Sequence, residues 1–206
     1  MVPGTPAKPA GSCRGTADSI ICFASGTMIR TPRGERRIEH LREGDLVLTL
    51  DGGPQPIRWI ASRTVRATGV LAPIRFARGA LGNDRDLFVS PQHRLLLSGA
   101  RVRRALGRDQ LLAPAMALVD DAQVSVAYSG MVTYRHMMFD RHQVVIANGA
   151  PSESFHPGGI ALDTLDRRER DELFAIFPGL RSDVAAYGDI ARPGLSEPDT
   201  RRLLAG

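Results

Sequence analysis

With 206 residues, 43% of them hydrophobic and 24% charged, the chain has room for one well-packed domain plus an appendage, and it contains no apolar run long enough to span a bilayer. The formal charge of +5 rests almost wholly on arginine, since a single lysine stands among the 27 basic residues. Those arginines are dispersed, apart from "RVRRALGR" at 101–108, and the sparse aromatics (5% of the chain) are not interleaved with them, so nucleic acid is not an expected partner.

The first stretch, "MVPGTPAKPAGSCRGTADS", is rich in Pro, Gly and Ser and lacks the charged-then-apolar layout of a signal peptide. Residues 1–17 are read as a flexible leader. The cytoplasm is the default compartment, with signal-less export as the alternative. Two cysteines, Cys13 and Cys22, are too few for a disulfide framework and lack CxxC spacing, so both thiols are expected to be free, and neither a metal nor a cofactor is expected. A reversible Cys13–Cys22 bridge is the minor alternative.

From Cys22 onward, short apolar runs alternate with turn residues. "TMIRT" followed by "PRG" reads as a strand entering a hairpin, "RRIEHLREGD" as a short helical turn or bent strand, and "LVLTL" as a strand closed by "DGG". "PIRWIASRTV", "DLFV", "RLLLS", "QVSVAYS", "MVTYRHMMF" and "QVVIANG" continue the pattern. Many short strands at near-regular spacing predict an all-β body over residues 18–150. A different character is expected over 151–206: "ESFHPGG" as loop, then a helix in "LDRRERDELFAIFPG" with Asp166 and Glu169 spaced as a capping box. A short terminal helix in "SEPDTRRLLAG" completes a small helical C-terminal extension.

The chemistry centres on Cys22, in "SIICFASGT". A lone cysteine among apolar neighbours is ordinarily a small core residue. This one opens the β pattern directly after the leader, and small residues follow it, leaving room for close backbone approach. A thiol there can attack the carbonyl of Ile21 and move the acyl chain from nitrogen to sulfur. That needs a group to take the thiol proton, a group to protonate the departing amide, and donors for the oxyanion. "VSPQH" offers Ser90 and His93, which can meet one target if Pro91 turns the chain tightly. "FDRHQ" offers Asp140 and His142, which would share one face of a strand. His136, alternating with apolar neighbours, is read as packing against the sheet, His40 as exposed and His156 as a loop residue. These histidines form no metal-ligand pattern.

The stretch "CFASGTMIRTPRGERRIEHLREGDLVLTLDGG" with "PIRWI" resembles the opening of a Hedgehog/intein-type (Hint) domain. "SPQHRLLL" is similar to that family's histidine motif, "MMFDRHQVVIANG" to its closing strand pair, and the tail "ESFHPGG…DELFAIFPGL" to the extension carried by bacterial members. The resemblance implies a horseshoe-like all-β fold and self-processing, with Cys22 as nucleophile and Ile21–Cys22 as the scissile bond. It implies that His93 serves the leaving nitrogen, that Ser90 stands where many members have threonine, and that His142 assists while Asp140 tunes the thiol.

Intein splicing would require a histidine before the terminal asparagine and a Cys, Ser or Thr after it, whereas Asn148 lies between Ala147 and Gly149. Splicing is therefore not expected. Sterol transfer is not expected either, because the tail is charged with one amphipathic helix. The expectation is a thioester resolved by water or an external thiol or amine, with the chain's own leader as substrate and no membrane partner. The alternative is a catalytically silent Hint-fold scaffold or interaction module.

Overall fold

The apolar–polar alternation after Cys22 is realised as short antiparallel strands whose ends coincide with Gly, Asn and Pro. The computed structural model describes residues 21–128 and 130–205; the leader assigned to 1–17, and Cys13 with it, lies outside them. In chain order the strands are β1 (Phe23–Ala24), β2 (Met28–Thr31), β3 (Gly34–Arg37), β4 (Leu46–Thr49), β5 (Gly53–Pro56), β6 (Trp59–Arg66) and β7 (Ile74–Phe76). They continue with β8 (Leu87–Val89), β9 (Arg94–Ser98), β10 (Gln110–Pro114), β11 (Val124–Val126), β12 (Met131–Met138), β13 (Val144–Ala147) and β14 (Ala150–Glu153). The helices are α1 (Ala100–Leu106), α2 (Gly159–Thr164), α3 (Arg167–Ile176) and α4 (Glu197–Ala205). None of the described helices is long and apolar enough to cross a membrane.

Two sheets carry the strands. One runs β11-β7-β8-β1-β12-β6; the other runs β10-β9-β14-β13-β2-β3, with β4 joined to β13 and β5 to β4. Both sheets feed one apolar core, to which Phe23, Ile74, Phe76 and Val89 come from the first and Ile29, Val47, Leu95 and Val145 from the second. The body is thus all-β, with a small helical C-terminal part.

Local chemistry accounts for the hairpins. Gly34 (φ 100°) lets β2 turn into β3, pairing Thr31 with Gly34 and Met28 with Arg37. Asn148 (φ 47°) and Gly149 (φ 86°) form the two-residue turn with both central residues at positive φ, which matches the twist of β13 and β14. The Asn-Gly pair is therefore a turn, as its sequence indicates. The Asp166–Glu169 capping box at the start of α3 is also present, each side chain bonded to the other's backbone N–H.

Several elements were not anticipated, β5, β7 and β10 among them. "APSE" forms β14, although Pro, Ser and Glu are poor strand formers, because pairing with β13 and β9 holds it in the sheet. The strand straddles the boundary placed at residue 150. The arginine-dense "ARVRRAL" is α1, anchored by the buried Val102 and ended by left-handed Gly107. Residues 159–164 form α2 ahead of the expected helix.

The extension is built into the body. Pro193 and Leu195 bracket Leu112, whose N–H donates to the Pro193 carbonyl (2.8 Å) and whose carbonyl accepts from the Leu195 N–H (3.0 Å). Leu203 of α4 enters the main core. A second apolar cluster joins Trp59 and Met138 of the body to Phe155, Leu162, Leu165, Leu173, Leu180 and Tyr187 of the extension.

Candidate active site

Strand register builds the site around Cys22. β1 lies between β8 and β12, with Phe23 opposite Val89 on one side and Arg135 on the other. Stepping back one residue in an antiparallel ladder places Cys22 between Ser90 and His136. The bonds agree. The Ser90 N–H donates to the Cys22 carbonyl (3.0 Å), and the Cys22 N–H donates to Ser90 Oγ (2.9 Å). Residues opposed in this way share a face of the sheet, so the thiol and the imidazole meet.

The contact is close. Cys22 Sγ lies 3.3 Å from His136 Nδ1 and 3.4 Å from Nε2, and Nδ1 lies 2.9 Å from the carbonyl oxygen of Ile21. A carbonyl oxygen only accepts, so this bond assigns the proton to Nδ1 and leaves Nε2, 3.4 Å from the thiol, as the ring's acceptor nitrogen. The His136 ring is stacked on Trp59 (centroids 5.8 Å) and meets Phe155 edge-on (4.9 Å), which fixes its plane.

Burial sets the resting charges. Cys22 is 1% exposed, and desolvation holds its thiol well above the ordinary value; the charge of Glu169 adds to this and that of Arg63 opposes it. Desolvation likewise lowers His136 to about 4, and the hydrogen bond to Ile21 only partly opposes it. The resting pair is neutral thiol and neutral imidazole.

His93 lies on the turn after Ser90. Its N–H donates to the Ser90 carbonyl (3.1 Å), with Pro91 at the second turn position, so the tight turn exists. Its ring is buried against Phe23 (centroids 4.4 Å), and neither ring nitrogen has a hydrogen-bond partner among the described residues. Desolvation, then the proximity of His136 and His142, lowers it to about 3. The amide of Cys22 is held by Ser90 rather than by His93.

The structure brings Cys22, Ile21 and Ser90 together, with His93 one turn away. It does not bring Asp140 or His142 to the thiol. β12 ends at Met138 and β13 begins at Val144, so the two residues occupy a bend where strand alternation does not apply. The Asp140 side chain is 61% exposed and pairs with Arg58 (3.3 Å). His142 is buried, with Nε2 donating to the Ser154 carbonyl (3.1 Å) and Nδ1 accepting from the Ala191 N–H (2.9 Å). Among the described residues no group of three or more His, Cys, Asp or Glu is placed to hold a metal ion.

His136 is the residue that sequence reasoning left to packing. The available signal was a histidine on the same strand face as Tyr134 and Met138, both buried. A titratable ring on an apolar face needs a polar partner, and here the partners are the thiol and the Ile21 carbonyl.

The bacterial intein-like domain from Clostridium thermocellum is 15% identical, covering 66% of this chain and 100% of that one, with a TM-score of 0.43. The MchDnaB-1 intein is 18% identical, covering 65% and 99%, with a TM-score of 0.41. No curated protein matches the chain. The Hint-domain family model matches residues 21–159. That span is more than half of the chain and begins one residue before the buried thiol, and the chain belongs to the Hint-domain family.

Proposed function

We propose that the chain cleaves its own Ile21–Cys22 bond by an N-to-S acyl shift. The observation that carries the reading is the double contact of His136, on the thiol and on the carbonyl that the thiol would attack. The thiol proton passes from Sγ to His136 Nε2. The sulfur attacks the Ile21 carbonyl carbon, and the oxyanion is met by the Nδ1–H that already bonds that oxygen. A thiolate and an imidazolium at this separation attract by about 5 kcal/mol at an effective dielectric of about 20, which offsets much of the cost of charging two desolvated groups.

Collapse of the tetrahedral intermediate breaks the carbon–nitrogen bond, and the amine takes up a proton as it leaves. Ser90 Oγ, which accepts that nitrogen's N–H, holds it in line, and its hydroxyl passes on to the nitrogen the proton that His136 took from the thiol, so that both groups return to their neutral forms. His93 is the second proposed carrier, its neutral ring packed beside the residue that follows the nucleophile. Asp140 and His142 take no direct part: the first is paired at the surface and the second is bound to the backbone of the extension. Water or an external thiol or amine then resolves the thioester, releasing residues 1–21. Neither metal nor cofactor enters these steps, and nucleic acid, membrane and sterol are not proposed as partners.

Splicing is not part of the proposal. Asn148 is buried, accepting from the Met28 N–H (2.7 Å) and donating to the Asp86 carbonyl (2.8 Å), so its amide already holds two segments together. A silent scaffold is the second reading, favoured by the complete burial of the thiol. Intact mass followed over hours, with and without added thiol, separates the two. Loss of residues 1–21 from the parent and not from Cys22→Ala is expected; an unchanged mass in every sample would leave the scaffold.

A further inference from the structure

The apolar cluster that joins the extension to the body also receives the residue in front of the nucleophile. Ile21 packs against the cluster formed by Trp59, Met138 and Phe155 together with Leu162, Leu165 and Leu173 of α2, α3 and the link between them. Its carbonyl is held by His136, whose ring rests on Trp59 and Phe155 of the same cluster. Arg63 Nη1 reaches the Thr164 carbonyl (3.4 Å), tying the end of α2 to β6 beside the site. Side chain and carbonyl of residue 21 are thus fixed by one continuous wall, most of which comes from the C-terminal extension.

We propose that the extension completes a side-chain seat for the residue preceding Cys22, and that the seat selects peptide junctions carrying a branched aliphatic residue there. The proposal rests on the self-cleavage reading for its chemistry but not for the seat itself. An aliphatic side chain gains burial in this setting, whereas a carboxylate would lose hydration against apolar side chains. Holding the side chain also holds the carbonyl at the sulfur, and a small displacement of a reacting carbonyl slows its reaction steeply.

Two readouts test this. Thiol-induced cleavage of the full chain is expected to fall about tenfold for Ile21→Ala and more than about a hundredfold for Ile21→Asp. In the Cys22→Ala chain, which cannot start the reaction, Trp59 is the sole tryptophan and reports the seat. Ile21→Asp should red-shift its emission and lower Tm. Ile21→Ala and Leu173→Ala (or Leu173→Val, should the first not fold) should be non-additive in Tm. Parental cleavage rates in Ile21→Asp, unchanged Trp59 emission, or strict additivity would each overturn the seat. A parent that never cleaves, with emission and Tm still responding to position 21, would support the seat and overturn the self-cleavage reading.

Discussion

His136 Nδ1 stands 2.9 Å from the carbonyl oxygen of Ile21 and 3.3 Å from Sγ of Cys22, although cysteine and histidine are 114 residues apart in the chain. One ring therefore touches both the attacking atom and the oxygen on which charge would develop. Its orientation is set by aromatic packing and by the β1–β12 register.

His136→Ala is accordingly expected to slow thiol-induced cleavage by about 10²–10⁴-fold, the usual worth of a positioned acid–base group. Asp140→Asn, at an exposed ion pair, should stay within about twofold of the parent. Mass-resolved time courses of both variants measure this. A larger loss in Asp140→Asn than in His136→Ala would reverse the assignment.

Ser90→Ala removes the acceptor of the Cys22 N–H at a fully buried position. Leaving that amide unsatisfied should cost about 1–3 kcal/mol of stability. Chemical denaturation of the Ser90→Ala and parent chains in the Cys22→Ala background, where no cleavage intrudes, gives the number.

Acid should destabilise the fold through its buried histidines. His93 is lowered to about 3 and His136 to about 4, so between those values and the ordinary histidine range the unfolded chain binds protons that the folded chain refuses. Stability is then full above the unfolded value of about 6.5 and is lost as pH falls through it towards the folded values. At pH 4.5 the loss should be about 2–3 kcal/mol for each histidine. Urea midpoints at pH 7, 5.5 and 4.5, with His93→Gln alongside, measure it. The variant should show the shallower pH dependence.

Asn148→Ala should lose about 2–4 kcal/mol, because it removes two buried hydrogen bonds and puts a Cβ-bearing residue without a compensating side chain at φ 47°. Asn148→Gly keeps the backbone conformation and should lose less. Thermal melts of the two variants rank them. In the cleavage assay neither should change the mass of the released fragment, since no step of the proposed reaction uses this amide.

Much of the fold was legible in local patterns. The β2–β3 and β13–β14 turns follow from glycine and Asn-Gly at positions that demand positive φ, and the α3 start follows from a capping box four residues long. β14 and α1 were not legible, because pairing partners and one anchored face override weak local propensity there. The capping box predicted a helix, but it carried no information about what that helix would cover.

The site divides along the same line. Cys22, Ser90 and His93 stood out by residue type and spacing within short segments, and the turn at Pro91 is a local event. The choice of His136 over His142 as the thiol's neighbour depends on which strand lies beside β1 and in what register, and on where β12 ends. A one-residue change of register would turn the other face to the thiol, and no window of a few residues specifies it. The neutral resting charges and the shared wall around Ile21 are likewise consequences of burial, which exists only after distant segments have packed together.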